Sequence, residues 1–450
     1  MAILRAAATA NFTLDNTGTA VLITGLTLTP AADDYFLHAT IQFTTPASAP
    51  SATDTFSVWV NNVELAHTRR TYFGNTSIDN ASITYVLTCK VSPAGSQAVE
   101  IRHTRSSASA PCIAANRELT LFPIPLAGTD YEESSTSNDT TTSATFSTIV
   151  GMARTPVAGN YLVVFSSSLT GPSASTDAGV RISVDGTPIA HTLREIFWES
   201  SGSDQEWNVM TLAEVNVSGS QEVQVEFARI AGSATVTCHD RTMNLIPIVA
   251  ADIFEASGTV DDTDSTTTDK LLDDMTITDP GAADYLCMFS MTQAFGSLGG
   301  ADLGRVTYSI HEGGAVVTDS ERDNEIEDSL DNTHLPTACG GRVTVGGATD
   351  DLEIFWQGAS TTARTGRERT FIAIRELTSS FEQEGYRWRN DDGSESAATF
   401  RQLQDVVDTV DKAINIRIRV LTDATGDPPT VTRTLQYKRD DEGDSEYRDV

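Results

Sequence analysis

The sequence predicts an all-β protein built from three tandem β-sandwich repeats and a small C-terminal β domain. One phrase occurs three times: Tyr35-Phe-Leu-His-Ala-Thr-Ile-Gln-Phe43, Tyr161-Leu-Val-Val-Phe-Ser-Ser-Ser-Leu169 and Tyr285-Leu-Cys-Met-Phe-Ser-Met-Thr-Gln293, with tyrosines 126 and 124 residues apart. Each unit then closes on a second shared phrase, Arg117-Glu-Leu-Thr-Leu-Phe-Pro-Ile124, Arg241-Thr-Met-Asn-Leu-Ile-Pro-Ile248 and Arg367-Glu-Arg-Thr-Phe-Ile-Ala-Ile374. Between them lie period-2 runs punctuated by Gly, Asn, Asp and Ser, the pattern of half-buried antiparallel strands. A period this long is a whole domain copied, not a solenoid repeat of about 20–50 residues. The domains are therefore 1–126, 127–250, 251–377 and a different C-terminal piece, 378–450.

Each element follows in order. Residues 11–23 read as an opening strand; the Ser/Thr/Asp-rich strips 129–146 and 257–270 read either as linkers or as the polar opening strand and loop of their units. The strand reading is preferred, because 11–23 is taken to occupy the same register. After the tyrosine strand comes a hairpin: Phe56-Ser-Val-Trp-Val60, Asn61-Asn62 and Val63-Glu-Leu-Ala-His67 in the first unit. In the second unit Asp185-Gly186 joins Val180-Arg-Ile-Ser-Val184 to Thr187-Pro-Ile-Ala-His191, and in the third the turn Glu312-Gly-Gly314 follows Arg305-Val-Thr-Tyr-Ser-Ile310. Asn, Asp and Gly are the residues that tolerate the positive φ of such turns. Val215-Asn-Val217, the turn Ser218-Gly-Ser220 and Glu222-Val-Gln-Val-Glu-Phe227 supply a further strand pair. The first 377 residues contain no convincing amphipathic helix.

Composition narrows the function. The chain of 450 residues carries 62 acidic and 30 basic residues, a net charge of −32, and only four of the bases are lysine: Lys90, Lys270, Lys412 and Lys438. Surface carboxylates keep a protein hydrated in salt, which fits a saline, marine or halophilic habitat; a GC-rich genome would also favour arginine over lysine. Such a surface repels phosphate backbones and argues against direct nucleic-acid binding. No apolar run approaches the ~20 residues that span a bilayer, so no membrane partner is expected. Nor is a signal peptide, since the start lacks a basic head and a long apolar segment. Residues 1–124 have a net charge of −1, 125–250 of −9, 251–377 of −16 and 378–450 of −6. A near-neutral first unit followed by acidic ones reads as a buried attachment end and a solvated outer end, or as drift among copies. The five cysteines, Cys89, Cys112, Cys238, Cys287 and Cys339, form no C-x-x-C pair and read as small apolar filler.

The order of signals inside a unit resembles the C1q/TNF-like jelly roll: an early tyrosine strand (Gly159-Asn-Tyr161), a hairpin with an Asp-Gly turn (Val184-Asp-Gly186), a Gly turn before an alternating strand (Gly219-Ser-Gln-Glu-Val-Gln-Val225) and an apolar closing strand. Asp33-Asp34 and Ala283-Asp284 depart from it, standing where that family has Gly before the tyrosine. The resemblance implies jelly-roll-like units and threefold association, either within one chain as a pseudo-trimer or between chains as a homotrimer. The C-terminal piece resembles a small β domain of structural proteins of tailed phages, particularly marine ones, through Tyr386-Arg-Trp-Arg-Asn-Asp-Asp-Gly-Ser-Glu395 and Ala424-Thr-Gly-Asp-Pro428. That resemblance implies a virion component. Residues 398–413 have a helical apolar face, whereas the resemblance implies strand and loop there.

The sequence contains no G-x-S-x-G elbow, H-E-x-x-H or Walker loop. Cys238-His239-Asp240 is contiguous, but neighbours on a strand point to opposite faces, so adjacency makes no triad. The carboxylate pairs Glu132-Glu133, Asp261-Asp262, Asp273-Asp274, Asp350-Asp351, Asp391-Asp392 and Asp440-Asp441 read as solvated faces or turns in so acidic a chain. Asn390-Asp-Asp-Gly-Ser-Glu395 lacks the Asp-x-Asp-x-Asp-Gly spacing of a calcium loop and reads as a turn. His67 and His191 match between two units, with Val317 at the position taken as equivalent in the third. Arg117, Arg241 and Arg367 recur in all three and read as arginines pairing with carboxylates at the sandwich edge. Trp198, Trp207, Tyr72 and Phe73 could stack on sugars or pack inside. Asn-x-Ser/Thr sites at Asn11, Asn75, Asn80, Asn138 and Asn216 are not expected to carry glycans.

No catalytic, cofactor-binding or metal site is therefore assigned. Catalytic centres are rarely copied three times along a chain, while scaffolding and adhesive modules often are. The expected function is a non-enzymatic virion structural protein of a tailed phage or virus, assembled in the host cytoplasm: an outward-facing head decoration, spike or fibre. Its partners would be the major capsid protein or other virion proteins. The alternative is a tail-fibre or baseplate receptor-binding protein recognising host surface glycans.

Overall fold

The computed structural model describes residues 2–14, 18–44, 53–73, 82–106, 112–124, 129–171, 176–198, 206–295, 304–326, 334–347, 349–376, 380–390, 399–400, 402–403, 406, 416–425, 436–437 and 448–449. The chain divides into two compact units, Ala2–Glu376 and Leu377–Val450. All three repeats lie in the first of these.

Repeat one runs β1 (Leu4–Ala8), β2 (Phe12–Leu14), β3 (Val21–Leu28), β4 (Tyr35–Thr44), β5 (Thr53–Val60), β6 (Val63–Phe73), β7 (Ser82–Val91), β8 (Val99–Arg105) and β9 (Cys112–Pro123). Repeat two runs β10 (Tyr131–Ser135), β11 (Asp139–Thr141), β12 (Ser147–Arg154), β13 (Gly159–Thr170), β14 (Thr176–Val184), β15 (Thr187–Pro188), β16 (Arg194–Trp198), β17 (Glu206–Val217), β18 (Val223–Ala231) and β19 (Val236–Pro247). Repeat three runs β20 (Ile253–Gly258), β21 (Asp262–Asp264), β22 (Lys270–Ile277), β23 (Ala283–Phe295), β24 (Gly304–Glu312), β25 (Ala315–Val316), β26 (Arg322–Ile326), β27 (His334–Val345), β28 (Leu352–Gly358) and β29 (Arg364–Arg375).

The sheet order is the same in each repeat. An inner sheet runs β1-β9-β4-β7, β10-β19-β13-β17 or β20-β29-β23-β27, with β2, β11 or β21 also on the closing strand. An outer sheet runs β3-β8-β5-β6, with β12-β18-β14 and β22-β28-β24 as its counterparts; there the last strand is broken into β15 and β16, or β25 and β26. Two antiparallel sheets exchanging strands in this order make a jelly roll. The polar strips 129–146 and 257–270 carry strands as expected: the first holds β10 and β11, the second holds β21 with the end of β20 and the start of β22. The register matches 12–14 with 139–141 and 262–264, so 11–23 corresponds only to the second part of each strip.

Tight turns hold the outer hairpins. Asn61 and Asn62 (φ 50° and 65°), Asp185 and Gly186 (49° and 72°), and Gly313 and Gly314 (55° and 81°) all take left-handed backbone, which matches the twist of a two-residue hairpin.

The tyrosine strands are buried on both faces, and their side chains sort by period 2. In β4, Tyr35, Leu37, Ala39, Ile41 and Phe43 enter the sandwich core, while Phe36 enters a second apolar cluster. That cluster also holds Leu162, Val164 and Met210 of repeat two and Leu286, Met288 and Ile372 of repeat three. It is the core between the repeats. At the end of each closing strand the amide of Ile124, Ile248 or Glu376 bonds Asp34 O, Asn160 O or Asp284 O of its own repeat.

In the C-terminal unit β30 (Ser380–Asn390) pairs with β31 (Ile416–Thr425), bringing Tyr386 opposite Val420 and Trp388 opposite Ile418. Two short strands, β32 (Gln436–Tyr437) and β33 (Arg448–Asp449), also pair. Arg387 lies over the Phe400 ring at 3.8 Å. The helix-or-strand question at 398–413 and the acidic turn at 391–395 fall mostly outside the described residues.

Candidate functional site

The three repeats close on one another head to tail. Strands β6 and β7 of repeat one lie on β13, β17 and β19 of repeat two. Repeat two lays β16, β17 and the 3-10 turn Ala190–Thr192 on β23, β27 and β29. Repeat three returns β26 and β27 to β4, β7 and β9. The edge strands β7, β17 and β27 also touch pairwise, so they line a pseudo-threefold axis. Heterologous contacts of this kind generate a ring when the rotation closes, and here it closes within one chain. The units stand around an axis, so the charge difference among them runs around the ring and not along it.

A buried arginine locks each interface. Arg70, Arg194 and Arg322 are fully buried and follow Thr68, Thr192 and Ser320, whose hydroxyls accept the amides of Val58, Ile182 and Ile310 at 2.9, 2.9 and 3.0 Å. Those hydroxyls set the local turn and so aim the guanidinium at the next repeat. Arg70 Nη2 donates to Ser166 O (2.8 Å) and Oγ (2.6 Å), and its Nη1 to Asp240 O (2.9 Å). Arg194 donates to Ser290 Oγ and O (both 2.7 Å), Thr370 Oγ1 (3.1 Å) and Glu368 O (2.6 Å). Arg322 donates to Thr40 Oγ1 through Nε (3.2 Å) and Nη2 (2.6 Å). Burial pushes Arg70 down to about 10 and Arg194 to about 9; planar, multiply bonded guanidinium tolerates such sites better than ammonium does.

Pattern reading missed this triplet, although its Thr/Ser-x-Arg phrases recur 124 and 128 residues apart. It did find the neighbouring histidines, but misplaced their third counterpart. The shared hydroxyl position makes Asp319, not Val317, the equivalent of His67 and His191.

A second arginine triplet was placed with the same slip. Sheet register sets Arg117 opposite Ile41, Arg241 opposite Ser167 and Arg369, not Arg367, opposite Met291. The bulge at Glu368 (φ 23°) accounts for the slip: Arg367 pairs with Thr292 and Arg369 with Met291, an irregularity that alternation cannot foresee. Arg367 does pair with carboxylates, Glu195 at 3.5 Å and Asp261 at 3.6 Å, but the register-matched Arg117, Arg241 and Arg369 do not chiefly do so. Arg117 donates to Thr24 O, Ala10 O and Ala114 O, Arg241 to Val150 O, Ser137 O and Cys238 O, and Arg369 to Asp273 O, Val260 O and Gly366 O. Only Arg369 adds a carboxylate, Asp274, at 3.3 Å. Each thus satisfies carbonyls freed by a β-bulge in β3, β12 or β22. At that bulge Gly25, Gly151 and Asp274 take φ of 88°, 81° and 64°.

The exposed edge of the inner sheet is covered by side chains of the following repeat. Lys90 N donates to Glu132 Oε2 (2.5 Å), Glu214 N to Glu255 Oε2 (2.7 Å) and Arg342 N to Glu118 Oε1 (2.7 Å). Val86 exchanges both backbone bonds with the Asn208 side chain, at 2.9 and 3.2 Å. Unpaired strand edges invite association with other chains, and ring closure removes three of them.

The sequence-derived candidates fall elsewhere. Cys238 is buried with its thiol pushed up to about 11 and donating to His239 O at 3.8 Å, while the His239 imidazole bonds Thr170 Oγ1 (2.8 Å) and Asn138 Oδ1 (3.1 Å). All five cysteines are buried and free. Cys112 is more than filler, since it sits beside Arg105 and 3.5 Å from Asp54, which also meets His103 at 2.7 Å. Several carboxylate pairs are not solvated faces. Burial raises Glu132 to about 7 inside an interface, and Asp262 is buried against Lys270 at 2.5 Å. Asp391-Asp392 and Asp440-Asp441 lie outside the described residues. Trp198, Trp207 and Tyr72 are 1, 3 and 1 % exposed, which removes them as sugar platforms. No three His, Cys, Asp or Glu side chains converge on a metal position among the described residues.

No protein-family model and no curated protein matches the chain. Among solved structures it is similar to a triple-jelly-roll protein of an archaeal virus turret assembly, at 10% identity and TM-score 0.19, over 83% of this chain and 92% of that one. It is also similar to a protein of the IBDV viral particle (8% identity, TM-score 0.21, 83% and 77% covered) and to PorU of Porphyromonas gingivalis (7%, 0.24, 58% and 30%). Scores of this size carry no functional argument, and the jelly-roll assignment rests on this chain's own strand order.

Proposed function

We propose that this chain is a non-enzymatic structural component of a virion, displayed on the head as a decoration, spike or fibre. The observation that carries the reading is the closed ring of three jelly rolls within one chain. Its buried hydroxyls, carbonyls and guanidinium groups bond one repeat to the next, an arrangement that serves rigidity and covered edges. The likeness of residues 382–450 to a β domain of tailed-phage structural proteins supports the same reading. With the units side by side, attachment through the near-neutral repeat would use one flank of the ring.

Cryo-electron microscopy of purified particles tests the proposal. Three-lobed density on the capsid, present at many copies, is the expected result. Absence from purified particles would overturn it, and density at the tail tip would turn the assignment to the receptor-binding alternative.

A further inference from the structure

Two of the three interfaces set a histidine against a glutamate, and the third sets an aspartate against an arginine. His67 Nε2 meets Glu132 Oε1 at 3.4 Å between repeats one and two, and His191 Nε2 meets Glu255 Oε1 at 3.0 Å between repeats two and three. At the seam between repeats three and one, the histidine position is Asp319 and the glutamate position is Arg5, paired at 3.0 Å. The carboxylate needed by the edge amide has moved to the neighbouring strand as Glu118, which Arg5 also meets at 3.0 Å.

Shape is altered at the same seam. Repeat three carries Gly340-Gly341 in its edge strand, where the register places Thr88-Cys89 in repeat one and Leu212-Ala213 in repeat two. A Cβ on Gly341 would stand 2.5 Å from the Glu118 carboxylate, and one on Gly340 would stand 2.5 Å from His38 Cε1. His38 occupies the place of Val164 and Met288, and burial holds its imidazole down to about 3, hence neutral. Repeat one therefore presents two bulky polar knobs, and only repeat three has the hole for them.

We infer that Arg5, His38 and Glu118 of repeat one, with Asp319, Gly340 and Gly341 of repeat three, form a coded seam that admits repeat three's edge and rejects the edges of repeats one and two. Opposite charge attracts the right edge; a steric clash excludes the wrong ones. The code makes the chain close on itself as one ring, where three similar repeats would otherwise permit open or mixed-order assemblies between chains. It stands wherever the ring is displayed.

Arg5→Glu places like charges at the seam of the full chain. Its mass by light scattering is expected to rise with concentration as seams open and pair between chains. Arg5→Glu with Asp319→Arg is expected to return to a monomer. A second measurement covers failure of the harsher variant to fold: in Arg5→Gln, amide exchange at Arg342 should quicken tenfold or more, with Lys90 and Glu214 unchanged. A strictly monomeric Arg5→Glu with unaltered exchange, no rescue by the double variant, or equal acceleration at all three amides would each overturn the inference.

Discussion

Replacing Arg194 with methionine tests whether the interface arginines hold the ring together. The methionine keeps much of the stem's volume but none of its donors, so Ser290 O and Glu368 O lose their bonds at 2.7 and 2.6 Å inside a closed interface. A buried acceptor left unpaired costs about 1–3 kcal/mol. The hydroxyls of Ser290 and Thr370 also lose a charged partner. Against this, removing a guanidinium that burial already disfavours returns part of its desolvation cost. The balance is a loss of about 2–4 kcal/mol, two orphaned carbonyls at about 1–3 kcal/mol each less the desolvation returned. For a cooperative unit of this size that is a fall in Tm of about 5 °C. Calorimetry on Arg194→Met, Ser290→Ala and the double variant measures it, with Ser290→Ala alone expected to cost about 1 kcal/mol. A loss below about 1 kcal/mol for Arg194→Met, or additive effects in the cycle, would refute the reasoning.

Burial raises Glu206 to about 7, so the folded protein holds that proton where an unfolded chain, with a pKa near the usual 4.3, has released it. Its contribution therefore falls as pH climbs from about 4 through 7, and Glu206→Gln should gain about 2–3 kcal/mol over the parent at pH 8 and nothing below pH 4; urea titration at both values checks the sign. Arg241→Met strips the donors from Val150 O and Ser137 O and should cost about 3 kcal/mol, with hydrogen exchange quickening around the bulge before the interfaces respond. Gly171→Ala would put a methyl 2.7 Å from Trp198 Cε3, and a loss of about 1–3 kcal/mol in chemical denaturation is expected.

The all-β class, the three repeats and the hairpin turns were legible because alternation, Asn/Asp/Gly turns and a long copied phrase are local signals. Tyr35, Tyr161 and Tyr285 hold equivalent register positions in the structure, opposite Val91, Val215 and Val343, as the phrase indicated. What alternation could not give was the alignment across irregular backbone: the bulge at Glu368 sets Arg367 and Arg369 opposite Thr292 and Met291, and Val317 and Asp319 lie in a turn where period 2 does not apply. Nor could it distinguish a solvated Glu132 from one buried beneath another repeat.

By itself, then, the sequence determined the strands, their inward faces and the number of units, all of which follow from residue periodicity and turn chemistry. Only the tertiary structure decided that the second apolar face of each tyrosine strand is covered by the next repeat, that Arg70, Arg194 and Arg322 lock those contacts, and that Arg5 and Asp319 stand in place of glutamate and histidine at the seam. Those facts join residues up to 314 positions apart, from Arg5 to Asp319, and only the closed ring brings them within hydrogen-bond reach.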